Sequence, residues 1–522
     1  MEALTSGATE QGRRATGGAL VFVGFMGAGK SSSARSVAAE LGVKPLDSDR
    51  ELEAELGEPI EAFFDREGEA AFRRREEELV LGLLARPDAE VVALGGGAPG
   101  SERVREALRA HTVVHLEVDP EKAWRRATGK GRPLARDRGR FDQLHGDRHA
   151  LYASVADAVL PDGGRDAARE ALPGLLALRD ARHRGTGLRM VWARAQSGDY
   201  PVFIGHGLIG AGFFYPEGAR RFVVTDVNVA DLHRVTGEHT VTIGAGEEGK
   251  TIATAESVLR ALARAGAERG DVLAAVGGGV VGDVAGFCAA IYQRGMPHVQ
   301  VPTTLVAQVD SAYGGKTGVD LPEGKNYAGA YHQPSAVVCD PAALETLPPE
   351  EHAAGYAEVV KTALIAGGPL WARVRAGGDV DEETIIGCLR TKLDTVAEDE
   401  RDGGRRQTLN LGHTVGHAIE AATGYARYRH GEAVALGLLA ALRLSGKEAL
   451  RSEVAGLLAA RGLPLSFSGA SVEEVVARTE RDKKRSGGRV PFVLVEAPGE
   501  VTPGHEVMPG ELRAAIKEVR EG

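Results

Sequence analysis

Residues 19–23 are continuously apolar and run straight into Gly24-Phe25-Met26-Gly27-Ala28-Gly29-Lys30-Ser31, after which SSSARSVAAELG has a helical pattern. A buried-type strand, a turn of the form GxxxxGK[ST] and a helix, in that order, leave few folds open. The glycines let backbone N–H groups close around phosphate, Lys30 reaches the phosphate to be transferred, and the Ser31 hydroxyl suits magnesium. The helix N-terminus adds partial positive charge. EVVALGGG and TVVHLEV read as further strands separated by helical segments, which predicts a parallel sheet covered by helices.

The segments downstream of this loop point to a small-molecule kinase. Leu46-Asp47-Ser48-Asp49 offers one carboxylate for magnesium and one for a substrate hydroxyl. Arg73 lies on the helical stretch EGEAAFRRRE, and Gly95-Gly96-Gly97 comes after a strand, where backbone can approach a ligand closely. Arg125, Arg126, Arg132, Arg136, Arg138, Arg140 and Arg148 form a basic run near Gly129, Gly131 and Gly139. Singly such charges are solvated surface; as a run beside glycines they suit a closing lid that carries guanidiniums to phosphate and carboxylate.

In this order, GFMGAGKSS, DSD, EGEAAFR, LGGGA, RPL and RHALY resemble shikimate kinase over about residues 18–175. The resemblance implies that Gly27, Ala28, Gly29, Lys30, Ser31 and Ser32 bind ATP, with Lys30 also catalytic. It implies that Ser31 with Asp47 holds Mg2+, and that Asp49 binds the shikimate hydroxyls and assists deprotonation. Arg73 and Arg148 would pair with the carboxylate, Gly96 would line the pocket, and Arg132 would be the lid arginine. LARDRG departs from the family pattern just after Arg132.

A second α/β pattern begins at LRMVWA and includes RFVVTD, DVLAAVGGG and HVQVPTT. After about Leu347, Ala/Leu helical periodicity takes over almost to the end. Gly277-Gly278-Gly279-Val280-Val281-Gly282-Asp283 contains GxGxxG after a strand, but no acidic residue stands about 20 positions on as the usual dinucleotide fold requires. Asp226 lies upstream at a strand end, and Glu247 and Lys250 come after another strand. A nonstandard NAD site and a simple tight turn both fit these residues.

The metal signal is separate. His413 and His417 are four apart on one helical face, His430 comes later in HGE, and Glu358 sits in GYAEVVK on another predicted helix. Position 414 is Thr, so this is not HExxH. Two imidazoles and a carboxylate with an open position make a catalytic zinc arrangement. The sequence leaves open which of the three histidines stays unligated. Arg294, Lys316, Lys325, Lys361, Lys392, Arg406 and Lys483/Lys484 gather near these motifs, several in glycine-rich loops, as a substrate bearing phosphate and carboxylate would need.

The ordered set TDVN, GEEGK, GGGVVGDVAGF, VPTTLVAQVDSAYGGKTGVD, GKNYAG, GYAEVVK, LNLGHTVGHAIE, HGE and DKK resembles 3-dehydroquinate synthase over about residues 190–510. The resemblance implies Glu358, His413 and His430 as ligands of Zn2+ or Co2+, with His417 handling a proton or contacting phosphate. It places Asp310, Lys316, Asn326, Lys361, Lys392, Arg406, Asn410 and Lys484 around the substrate, with Lys316, Lys361, Arg406 and His417 catalytic. Arg294 would come from the other subunit of a homodimer formed through this half. NAD+ would touch Asp226, Asn228, Glu247, Lys250, Gly278, Gly279, Val281, Asp283, Thr303, Thr304, Lys325 and Thr346. Asp402 stands where the family usually has Glu.

Together these imply two fused α/β units on one biosynthetic pathway, at steps that are not consecutive. The expected division is a terminus at 1–17, a P-loop kinase domain with a parallel sheet at 18–175, and a linker at 176–187. A dehydroquinate synthase-like unit comes next, with an α/β NAD-binding half at 188–345 and an α-helical metal-binding half at 346–522. The substrates would be shikimate and 3-deoxy-D-arabino-heptulosonate 7-phosphate. A net charge of −10 argues against nucleic acid, and nothing reads as a membrane span. No signal-like apolar core opens the chain, and three cysteines without a CxxC pair suit the cytoplasm. Three other readings compete with this one: a cyclase acting on another sugar phosphate, a glycerol-phosphate-type dehydrogenase that accumulates NADH, and a nucleotide-sensing first half.

Overall fold

The computed structural model describes residues 18–128, 137–161, 164–185, 187–485 and 491–520, without the side chains of 164–165 and 480–485. Arg132 and the terminus 1–17 lie outside the described residues, as do the side chains of Lys483 and Lys484. The chain divides into two compact units after Trp192.

In the first unit Leu20–Val23 is the middle of a parallel sheet, flanked by Val91–Ala93 and Thr112–Leu116. Leu46–Asp47 pairs outside Val91–Ala93, and Ala158–Leu160 outside Thr112–Leu116. All four residues of Leu20–Val23 are buried, which is why the run is apolar without alternation. Gly29, at φ 97°, turns this strand into the helix Lys30–Leu41, using a left-handed conformation that glycine adopts without strain. The helix Ile60–Leu84, broken at Gly68, carries Arg73, and Arg138–Val155 carries Arg148. A further helix, Leu172–His183, occupies much of the segment 176–187 expected as a linker.

In the second unit the parallel strands are ordered Tyr200–Ile204, Ala336–Cys339, His298–Pro302, Val272–Gly277, Arg221–Asp226, His239–Ile243. Every residue of Val272–Gly277 is buried, and this strand feeds the helix Gly279–Ile291. Their contact is the core of the sheet layer, with Phe222, Leu273, Val284 and Cys288 fully covered. An antiparallel hairpin, Lys316–Leu321 with Gly324–Tyr331, comes after the sheet strand at 298–302.

From Pro349 onward helices dominate, as the periodicity predicts, with one departure. Phe492–Ala497 and Glu500–His505 form a second hairpin, because FVLVEA is a short apolar run closed by a Pro-Gly turn. Three helices matter most: Pro349–Ala366, His413–Ala422 and His430–Leu444. They approach closely because a Cβ on Gly431 would lie 1.9 Å from Ala354 O, and one on Gly437 1.9 Å from Gly412 O. Among the described residues no helix is long and apolar enough to cross a membrane.

Candidate active sites

In the first unit, Lys30 Nζ donates to Gly24 O (2.9 Å) and Phe25 O (3.2 Å), folding back along its own loop. Ser31 lies in the first turn of the helix behind it. Asp47 Oδ1 accepts from the N–H groups of Asp49 and Arg50, capping Ser48–Leu56. Gly95 N–H donates to Ser48 Oγ at 2.7 Å, which ties the glycine turn to the aspartate segment.

That turn is crowded by the expected substrate residues. A Cβ on Gly95 would lie 2.7 Å from Asp49 Oδ1, and one on Gly97 would strike the Arg73 guanidinium. Arg148 Nη1 and Tyr152 Oη both donate to Gly96 O, at 3.2 and 2.6 Å. One acid and two arginines therefore surround a short stretch of backbone, as a small polyhydroxy acid requires. Glu76 was not foreseen. It is buried, bonds Arg73 one turn back, and also lies against Gly95. Burial pushes its carboxyl up, the Arg73 guanidinium pulls it back, and the Asp49 charge adds a further upward push.

The second unit encloses a cavity of about 1160 Å3. All the residues expected to contact the dinucleotide, from Asp226 through Lys250, Gly278 and Thr303 to Lys325 and Thr346, line it. Asp226 Oδ1 accepts from Asn228 N–H (2.8 Å) and Val229 N–H (3.1 Å). Lys250 Nζ donates to Asp283 Oδ2 at 2.6 Å. The same cavity is lined by Asp310, Asn326, Glu358, His417 and His430.

Glu358 Oε1 lies 3.7 Å from His413 Nε2 and 3.4 Å from His430 Nε2. Ligand atoms of His413, His417 and His430 all fall within 4.8 Å of one another. Lys361 Nζ sits 2.5 Å from Glu358 Oε2 and 3.1 Å from Asp310 Oδ2, and Lys392 pairs with Asp310 as well. Burial pushes Glu358 up, but Lys361, His413 and His430 together hold it well below the usual carboxylate range. Burial takes His413 down to about 3. Its Nδ1 faces Leu411 O at 3.2 Å, so with the proton there the Nε2 lone pair faces the cluster. A buried ionised carboxylate beside a neutral imidazole, with two more imidazoles in reach, fits a divalent cation.

Lys316 donates to Asp402 Oδ2 at 2.6 Å. Arg406 is fully buried and donates to Gly314 O (2.9 Å) and Glu400 O. Asn410 and Arg294 are exposed, and neither lines the cavity. Glu420 was missed in the sequence. It is 2% exposed, sits seven residues after His413, and lies between His430 and Lys325. The spacing 413, 417, 420 was the available signal.

A family model described as shikimate kinase matches residues 26–173. Models described as 3-dehydroquinate synthase N-terminal and C-terminal match 240–354 and 355–485. The 3-dehydroquinate synthase of Acidithiobacillus ferrooxidans is 41% identical over 348 residues, covering 62% of this chain and 96% of that protein. That of Symbiobacterium thermophilum is 42% identical over 351 residues, covering 62% and 98%. A solved structure of 2-deoxy-scyllo-inosose synthase, complexed with carbaglucose-6-phosphate, NAD+ and Co2+, is similar at a TM-score of 0.56 and 26% identity, covering 63% of this chain and 100% of that one. The chain belongs to the 3-dehydroquinate synthase family through its second unit and carries a shikimate kinase domain in its first, the two joined as a fusion.

Proposed function

We propose that the chain is a bifunctional cytoplasmic enzyme of aromatic biosynthesis. The first unit phosphorylates shikimate with MgATP to give shikimate 3-phosphate. The second converts 3-deoxy-D-arabino-heptulosonate 7-phosphate to 3-dehydroquinate and phosphate, using NAD+ and Zn2+ or Co2+. The carrying observation is that Glu358 and His430 line the cavity that Gly278, Gly279 and Asp226 also line, with His413 Nε2 3.7 Å from the same Glu358 carboxylate. Three free, buried cysteines suit a reducing compartment.

In the first unit the loop N–H groups and Lys30 neutralise the phosphates, while Ser31 and Asp47 would hold magnesium. Asp49 accepts the hydroxyl proton at its carboxylate, and Arg73 and Arg148 grip the substrate carboxylate beside Gly96. In the second unit Glu358, His413 and His430 would hold the metal. Bound NAD supplies a temporary hydride acceptor and bound metal a Lewis acid for the reacting hydroxyl. Lys361 keeps Glu358 ionised from 2.5 Å. His417, on the cavity wall, carries a proton at an imidazole nitrogen. Lys316, Asn326, Lys392, Arg406 and Lys484 would orient the phosphate and carboxylate of the substrate, whereas Asn410, exposed and off the cavity wall, takes no part. Arg294, exposed on its own chain, serves the neighbouring subunit of a homodimer.

The test is a pair of assays on the purified chain, with and without a zinc-selective chelator in excess magnesium. Cyclisation is expected to stop and return with Zn2+ or Co2+, while shikimate phosphorylation continues. Cyclisation that ignores the chelator, or NADH that accumulates with turnover, overturns the reading of the second unit. ATP binding without phosphate transfer overturns that of the first.

A further inference from the structure

Glu420 projects from His413–Ala422 on the same face as His413 and His417. Its two oxygens face different partners. Oε1 accepts from Lys325 Nζ at 3.1 Å, and Oε2 lies 3.5 Å from His430 Nδ1. The other nitrogen of that ring, Nε2, faces Glu358 at 3.4 Å. Lys325 comes from the hairpin strand Gly324–Tyr331 and also lies 3.3 Å from Glu247 in the dinucleotide wall. The Tyr425 ring covers the same ammonium at 4.9 Å, and Tyr425 N–H donates to Glu420 O at 2.8 Å. A continuous line of contacts, Glu358, His430, Glu420, Lys325, Glu247, therefore joins the metal-type cluster to the dinucleotide-type wall.

We propose that Glu420 is a positioning residue that couples occupancy of the metal site to occupancy of the dinucleotide site. The inference rests on the cofactor reading above. A metal held at His430 Nε2 would leave the ring's remaining proton on Nδ1, 3.5 Å from Glu420 Oε2, which would accept it. The same carboxylate draws Lys325 inward, so the hairpin that presents Lys325 to the dinucleotide is set by the carboxylate that sets the ligand ring. Each ligand then finds its site partly organised by the other, and the effect is equal in both directions.

The test is calorimetric binding of NAD+, with and without saturating Zn2+, and Zn2+ competition against a chromophoric chelator, with and without NAD+. It is run on the wild-type chain, Glu420→Gln, Glu420→Asp and Lys325→Met, each checked for folding by thermal unfolding. In the wild type each ligand is expected to tighten the other by the same factor. Glu420→Gln, which keeps the volume, is expected to loosen Zn2+ about tenfold or more and to abolish the mutual effect. Glu420→Asp should retain part of both, and Lys325→Met, which also removes a cation of the dinucleotide wall, should weaken NAD+ binding and abolish the coupling. Folded Glu420→Gln with wild-type Zn2+ affinity or undiminished coupling overturns the proposal. A wild-type chain that binds neither NAD+ nor Zn2+ overturns the cofactor reading itself, and the coupling with it.

Discussion

Lys361 Nζ stands 2.5 Å from Glu358 Oε2, one helical turn along Pro349–Ala366, with both side chains sealed from solvent. Asp310 closes the other side of the ammonium at 3.1 Å. The Lys361 ammonium thus lies between the buried Glu358 carboxylate and the partly buried Asp310, which Lys392 also pairs. Lys361→Met leaves those charges facing each other, and removing one partner of a buried ion pair costs about 3–5 kcal/mol. We expect a lower unfolding temperature, with lost cyclisation and retained shikimate phosphorylation. Calorimetric unfolding beside both assays checks this; an unshifted transition would mean that water or a bound metal already neutralises Glu358.

His430 makes the metal-free protein sensitive to alkali. Burial pulls this imidazole down, but hydrogen bonds to Glu358 and Glu420 outweigh it and lift it to about 9. Its folded value is above the unfolded one of roughly 6.5, so the stabilisation is full below about pH 6.5 and is lost as pH rises through about 9. The chelated protein should therefore lose thermal stability between pH 7 and 10, and His430→Ala should flatten that slope. Zinc displaces the proton, so the loaded protein should lack this part of the decline. Melting curves across the pH range read all three.

The legible parts of the sequence were those whose signal is local. Leu20–Val23, Gly29 and Lys30–Leu41 announce themselves because strand, left-handed turn and helix are adjacent in the chain. Glu358 and Lys361 were legible because three residues on a helix make one face. Glu76 and Glu420 were not, since each sits in a helix where an exposed acid would look the same. Their burial is decided by residues far along the chain, Gly95 for one and Lys325 for the other. Asp402 shows the opposite limit. Its residue type does not reveal the backbone beneath it, a left-handed φ of 64° tolerated by aspartate, from which the short side chain reaches Lys316.

Glu76 gives the kinase half its own test. From its helix the carboxylate holds Arg73 Nη1 beside the glycine turn that Asp49 and Arg148 also face. Losing a charged hydrogen bond is worth about 1.5–3 kcal/mol. Glu76→Gln should thus raise KM for shikimate roughly tenfold or more, leave KM for ATP near wild type, and leave cyclisation untouched. Steady-state kinetics with each substrate varied decide the matter. If KM for ATP rose equally, Glu76 would be supporting the sheet edge and not the substrate pocket.

Gly431 tests whether helix approach, more than residue identity, builds the metal cluster. A Cβ there meets the Ala354 carbonyl at 1.9 Å, and that obstacle is backbone, so a helix must move. Gly431 adjoins His430, and Ala354 lies one turn before Glu358 on Pro349–Ala366, so the movement opens the 3.4 Å His430–Glu358 contact. Gly431→Ala should loosen Zn2+ in chelator competition and destabilise the fold by about 1–3 kcal/mol, as overpacking does. Gly456→Ala is the matched control: it lies inside Glu448–Ala459 with nothing within 4 Å of its Cβ. That change should stabilise by up to about 1 kcal/mol through helix propensity and leave Zn2+ binding unchanged. Equal behaviour of the two variants would show that the three helices can slide without disturbing the cluster.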